Sequence, residues 1–528
     1  MKEYNVILKR DVNYDEFWED METETDGLLY IPNRRIEFTN ERPGSLRQCW
    51  YNLTDEEAEL LRSDDRVLEV EIPPEHNENL KIGLRAVQTG NFTKTTSDSG
   101  NFINWGLIRS TARGNIYFDG TTTVRNYKYS LDGSGVDVVI QDSGIQGDHP
   151  EFEDANGNSR VQEIDWGVIH GGFTQNANHY RDYDGHGTHV AGIAAGKMYG
   201  WAKGARIYSQ KIAGLEGTGD SGTGISPTFA FDAIKLWHRD KPIDPKTGVK
   251  RPTVVNMSWG YLDTYDSVTS VNYKGTSYSD TNTTTNASYR ETTYGIQNIS
   301  GVPYGATYAC NIRYTSVDAD IQEMLDAGII VCIAAGNRGF KIDLPNGDNY
   351  NDYMVTNTGT LYYQRGSSPN DSDAFIVGNI DSTTFNAGAD QKATSSEAGP
   401  GVNIWASGTS IMSCTSNTNR FTDAAYNFNS SFRQCNIGGT SMASPQVAGV
   451  AALVLQMNPS WRPEQVKEYL LNVSDEAIYS TNLTEDWSNS RSLLGSNQTV
   501  LFSPFKDEFA VKVRGLSNSN INIRIKQI

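Results

Sequence analysis

The sequence predicts an α/β protein: a mostly parallel sheet with helices on both faces, preceded by a small α+β unit. Two patterns carry this expectation. From "VDVVIQD" onward, continuous apolar runs of strand length alternate with helix-length segments, the pattern of strands buried on both faces. The first 75 residues instead combine short strand-like runs with two charged helical segments. A chain of 528 residues is long enough for a large core domain and at least one smaller one.

Taken in order, the small unit reads as a strand at "YNVILKR", a helix at "NYDEFWEDM" and a strand around "RQCWYNL". A helix capped at Thr54 in "LTDEEAELLRSD" and a strand at "RVLEVEI" complete it. Residues 1–79 form this unit and the polar stretch 80–104 reads as a linker. The main domain spans 105–475, and 476–528 is an extension of unassigned role. Within the main domain the strands are "VDVVIQD", "ARIYSQKIAG", "TVVNMSWG", "GIIVCIAAGN" and "DAFIVGN". The helices between them are "GTHVAGIAAG", "PTFAFDAIKLW" and "ADIQEMLDA". Sheets of this kind place ligand sites at the carboxyl ends of their strands. Residues 261–317, rich in Thr, Asn, Ser and Tyr, interrupt the pattern and read as a large surface excursion.

Composition narrows the function. Lys and Arg number 45 against 64 Asp and Glu, a net charge of −19 that repels phosphate backbones and anionic lipid, so neither nucleic acid nor membrane is an expected partner. No apolar run approaches the roughly 20 residues of a bilayer helix. The N-terminus alternates apolar and charged residues instead of carrying a signal-peptide core, which favours a cytoplasmic or virion-associated location over Sec export. Five dispersed cysteines, with no C-x-x-C pair, read as buried thiols; one bridge such as Cys414–Cys435 stays open.

Three segments carry reactive groups toward strand ends. Asp142 ends "VDVVIQD", His186 precedes a small-residue helix in "DYDGHGTHVAG", and Ser441 opens another in "GGTSMASPQV". A serine at a helix start is ordinary capping chemistry on its own. A nucleophilic serine needs a base, and the base needs a carboxylate to fix its tautomer; all three are present. Asn337, closing "GIIVCIAAGN", offers a side-chain amide for the oxyanion, a donor worth about 3–4 kcal/mol in the transition state. The Ser441 N–H supplies a second donor. His189 lies three residues after His186, a spacing that fits a satisfied core histidine better than a zinc ligand, and His149 reads as structural.

The stretches "QDSGIQGDHPEF", "DGHGTHVAG", "VVNMSWG", "AAGN" and "GGTSMASPQVAG" resemble, in order, the motifs of the subtilisin-like serine peptidases, over roughly residues 105–473. The resemblance implies a subtilisin-like fold and a serine endopeptidase of protein or peptide substrates, working through an acyl-enzyme. It implies Asp142 as orienting acid, His186 as general base, Ser441 as nucleophile and Asn337 as oxyanion donor. It also implies that Gly214, Leu215, Glu216 and Gly217 and Ser258, Trp259 and Gly260 form two strand edges that clamp extended substrate. For Trp259 a core aromatic is the alternative.

The short segment after His186 looks more like the proteinase K branch. No cofactor is implied for catalysis. Structural calcium is possible but unsupported: Glu151 stands at a family ligand position without its partner loop and reads as a solvated carboxylate, and Asn403 stands where relatives have a ligating Asp. Gln446 replaces a His common in the serine motif. The small N-terminal unit resembles the family's ferredoxin-like pro-segments, implying a zymogen held by its own pro-segment and cut near Asn79. Two rivals stay open. One is a structural or assembly component, for example of a viral particle, with its triad locked by an uncleaved pro-segment. The other is a non-peptidase acyl hydrolase, disfavoured because no G-x-S-x-G elbow is present.

Overall fold

The computed structural model describes residues 1–9, 12–22, 36, 38–41, 48–71, 87–92, 104–113, 125–171, 174–175, 179–212, 225, 227–279, 287–296, 308–386, 389–476, 478 and 485–505. Contacts divide the chain into two units, Met1–Leu84 and Arg85–Ile528. The first runs β1 (Lys2–Leu8), α1 (Tyr14–Glu22), β2 (Phe38–Glu41), β3 (Gln48–Leu53), α2 (Asp55–Arg62) and β4 (Val67–Glu71). Its sheet is antiparallel in the order β2-β3-β1-β4, the ferredoxin-like arrangement. Tyr4, Val6 and Leu8 alternate along β1 onto one face and pack with Phe17, Tyr51 and Leu61. A capping box between Thr54 and Glu57 starts α2. The sequence "FTNE" carries no strand pattern, so β2 is an addition to the expected order.

The second unit is built on a ten-stranded, mostly parallel sheet. Its central strands are β5 (Asp137–Asp142), β6 (Arg206–Lys211), β7 (Thr253–Met257), β8 (Ile330–Ala334), β9 (Phe375–Asn386) and β10 (Ile404–Ser407). They lie in the order β10-β9-β8-β7-β5-β6, every neighbouring pair parallel. All six residues of β5 and all five of β7 are buried, as continuous apolar runs between layers should be. Helices α3 (His186–Ala195), α4 (Pro227–Asp240), α5 (Thr315–Asp326), α6 (Thr440–Met457) and α7 (Pro463–Val473) flank the sheet. α6 packs on β7, β8, β9 and α3. The strand order reverses at β5, whose two neighbours are β6 and β7, and their carboxyl ends open a crevice there.

Three expectations change. Residues 261–317 are more than a surface excursion. Strands Leu262–Tyr265 and Tyr308–Asn311 pair with each other, and Val268–Tyr273 joins a second small sheet with Tyr353–Thr356. Between them lies a separate apolar core containing Tyr265, Val271, Tyr294 and Cys310, completed by Phe340 and Tyr363 from later in the chain. Part of the 80–104 stretch is a strand, Val87–Phe92, paired with Arg125–Lys128. The described part of the C-terminal extension is stitched into the main sheet: Thr499–Val500 pairs with β10, and Leu493, Leu501 and Phe505 join the main core. All five cysteines are buried thiols, so Cys414 and Cys435 are not bridged by a disulfide. Among the described residues no helix is long and apolar enough to cross a membrane.

Candidate active site

Asp142 is the last residue of β5, where the strand leaves the sheet into the crevice. Its Oδ1 lies 2.7 Å from His186 Nδ1 and accepts the Ser143 N–H at 2.8 Å. His186 opens α3 between two glycines that the local path requires. Gly185 is left-handed at φ 92°, and a Cβ on Gly187 would collide with the Gly144 carbonyl. Asp182, four residues before the histidine, fixes this junction: its buried carboxylate accepts the N–H groups of Asp184, Gly185 and Thr188 at 2.8–3.0 Å, and the hydroxyls of Ser143 at 2.9 Å and Thr188 at 2.6 Å. The end of β5 is thereby tied to the start of α3. Burial pushes the Asp182 carboxyl up to about 6 against these donors. Sequence reasoning passed over Asp182, although an acid shortly before the histidine in "DYDGHGTH" was a usable signal.

Burial alone would lower the His186 pKa, but the charge and hydrogen bond of Asp142 outweigh it, and Asp184 adds to them, so the imidazole is held above its ordinary value. Arg420 opposes the shift; its Nε donates to Asp184 at 2.9 Å.

Ser441 is the second residue of α6, beside the carboxyl ends of β7 and β8. Its Oγ donates to the Ser258 carbonyl at 3.2 Å. Four residues on, Pro445 has no N–H to give the Ser441 carbonyl, and the Ser258 hydroxyl donates to that oxygen at 2.9 Å instead. Thus Ser258, just beyond β7, touches the serine through both its own carbonyl and its hydroxyl.

Asn337 follows β8. Its Oδ1 accepts the Thr440 N–H at 2.8 Å and the Thr440 hydroxyl at 3.1 Å, which assigns the oxygen and nitrogen of the amide. Gln446 is the buried hub of a network with Asn104, Trp201 and the Ser407 carbonyl, with amide oxygen and nitrogen both bonded. Trp259 is half-buried against Phe231 and Tyr261, and its Nε1 donates to Gln141 at 3.1 Å; Gly260 is exposed. Gly214, Leu215, Glu216 and Gly217 lie outside the described residues, as does the expected cut near Asn79. His189 is a core residue whose Nε2 lies 3.1 Å from the Ile411 and Cys435 carbonyls. His149 caps a short turn and meets the Arg433 carbonyl.

The calcium positions do not fit a cation. Glu151 is fully buried, a correction to its reading as a solvated carboxylate. Oε2 accepts the Met198 and Tyr199 N–H groups at 2.9 and 3.2 Å, and Oε1 accepts the Tyr426 hydroxyl at 2.6 Å. Donors therefore occupy the oxygens that an ion would need. Asn403 turns its own Nδ2 to the Ala374 carbonyl at 2.8 Å while Oδ1 accepts the Ile376 N–H, so a donor faces a carbonyl that would otherwise be a ligand. Among the described residues no cluster of three or more His, Cys, Asp or Glu could hold a metal.

The Asp142–His186 pair stands at the carboxyl end of β5, and Ser441 and Asn337 stand beside those of β7 and β8, where a parallel sheet places its ligand sites. The subtilase family model matches residues 133–492, and the chain belongs to that family of serine peptidases. It is 26% identical to "Extracellular serine proteinase" of Thermus sp. (strain Rt41A) over 83% of this chain and 75% of that protein. It is also 26% identical to "Alkaline serine exoprotease A" of Vibrio alginolyticus, over 80% of this chain but only 54% of the relative. A solved structure of a cold adapted subtilisin-like serine proteinase aligns over 76% of this chain and 98% of its own, at 23% identity and a TM-score of 0.45.

Proposed function

We propose that the chain is a serine endopeptidase acting through Asp142, His186 and Ser441. The observation that carries this is the 2.7 Å contact between Asp142 and His186 Nδ1. It leaves Nε2 as the ring's acceptor, the tautomer a general base needs. Ser441 Oγ attacks the substrate carbonyl while His186 takes its proton. Asp142 stabilises the imidazolium, and the Asn337 amide with the Ser441 N–H receives the developing oxyanion. His186 then protonates the leaving amine, and water cleaves the acyl-enzyme by the same steps reversed. Substrate lies extended along Ser258, Trp259 and Gly260, with Gly214–Gly217 as the facing edge. The N-terminal unit, which has its own core, acts as pro-segment and inhibitor, so the chain is made as a zymogen.

The test combines fluorophosphonate labelling with mass measurement of the purified chain's N-terminus. Labelling lost in Ser441→Ala and in His186→Ala, with both variants folded, together with a new N-terminus near residue 79, is the expected result. Labelling that survives Ser441→Ala removes the assignment.

A further inference from the structure

Behind the oxyanion side of the site stands an acid that the proposed chemistry does not use. Glu397 is fully buried, and its main-chain N–H donates to the Gly336 carbonyl at 3.0 Å, directly before Asn337. Its carboxyl lies flush against Gly336, so that a Cβ there would strike it; Gly336 is also left-handed at φ 122°. The neighbouring chain is laced to the same loop, Gly339 donating to Ser395 and Ile342 to Ala398. Oε1 accepts Asn311 Nδ2 at 2.6 Å, from the strand Tyr308–Asn311 of the inserted sheets. Oε2 is buried and makes no hydrogen bond of ordinary geometry. A fully buried carboxylate with so few donors is costly to ionise, whereas the neutral acid is tolerated there.

We infer that Glu397 is a positioning residue for the oxyanion side of the site: neutral, it supports the Gly336–Asn337 turn, and ionised, it sets a negative charge behind the oxyanion and slows acyl transfer. The inference rests on the proposed role of Asn337. The surroundings place the change within reach of ordinary assays. Burial pushes the carboxyl up to about 8, opposed by the Asn311 bond, by the charges of Arg338 and Lys392 and by the Arg338 main-chain N–H. Cys310, beside Asn311, feels Glu397, Asp263 and Arg338, and burial keeps it a neutral thiol. The inserted segment thus reaches the chemistry through one amide. That amide favours the ionised form of Glu397, because a donor stabilises the charged carboxylate.

The experiment is the pH dependence of kcat for the full chain on a peptide substrate, from about pH 6 to pH 10, in the parent, Glu397→Gln and Asn311→Ala. The parent should lose about tenfold or more on the alkaline side, with a midpoint near 8. Glu397→Gln, which cannot ionise, should hold a flat alkaline plateau. Asn311→Ala should move the midpoint upward, because the donor that favours ionisation is gone. An unchanged alkaline fall in folded Glu397→Gln overturns the inference. If that variant does not fold, an Asn311→Ala midpoint that stays or moves downward overturns it equally. A parent chain with neither turnover nor fluorophosphonate labelling removes the peptidase reading itself, a failure distinct from either.

Discussion

Asn337→Ala tests whether the amide after β8 is an oxyanion donor or only a cap for α6. Two interactions are lost together: the Nδ2 donor, and the Oδ1 acceptor that Thr440 N–H reaches at 2.8 Å. Removal of an oxyanion donor costs about 3–4 kcal/mol of transition-state stabilisation, or about 10²–10³ in kcat, with little change in KM. The orphaned Thr440 N–H costs about 1–3 kcal/mol of stability where water is excluded. Asn337 is exposed, so water reaches the gap and the lower end applies. Asn337→Asp separates the two roles. It keeps an oxygen for Thr440 but replaces the donor with a charged acceptor. Its thermal unfolding should match the parent while kcat falls at least as far as in the alanine variant. The assay is kcat and KM on a peptide substrate beside an unfolding curve for each protein. If Asn337→Asp retains kcat within about threefold of the parent, the donor role is wrong and Asn337 serves the helix.

Asp184→Asn should move the acid limb of kcat/KM to lower pH, because Asp184 holds the His186 pKa up and activity is lost as that base is protonated; Arg420→Gln should move it higher. Shifts of the same sign in both variants contradict this account. Glu151→Ala should cost about 2–4 kcal/mol in denaturant unfolding, since two N–H groups and the Tyr426 hydroxyl lose their acceptor, whereas a chelator should alter neither the parent's melting temperature nor its kcat. A melting temperature that falls on chelation and recovers with calcium would show an ion at work. Residues 1–79, added to residues 80–528, should suppress turnover at micromolar concentration, because a folded inhibitor has less ordering to lose on binding than a free peptide. Undiminished turnover with both pieces folded ends the zymogen reading.

The four residues of the proposed chemistry were read from short motifs at a strand end or helix start, where local sequence dictates local geometry. The small N-terminal unit was legible for the same reason, apart from β2, whose four polar-rich residues hold no alternation. What the sequence hid is made by distant partners. Glu151 looks like surface in "GDHPEFEDANG", yet its donors come from Met198, Tyr199 and Tyr426. Residues 261–317 look like loop because their composition is polar, while Phe340, Met354 and Tyr363, which close their core, lie beyond the segment. Glu397 in "SSEAGPG" carries no motif at all; only the fold sets it against Gly336.

The five buried thiols give the protein a built-in record of its own opening. Cys49 lies in the core of the N-terminal unit, Cys310 in the core of the inserted sheets and Cys332 on β8 at the centre of the main sheet. Cys414 and Cys435 lie on the antiparallel pair Ile411–Thr415 and Asn429–Ile437, the first of which packs against α3. Burial raises the pKa of Cys310, Cys332 and Cys414, so each stays a sluggish thiol until its surroundings part. Alkylation followed residue by residue would therefore time the opening of four regions in one unmodified molecule, without a label added by mutation. With no disulfide holding any of these regions, the order in which the thiols react is the order in which packing alone gives way.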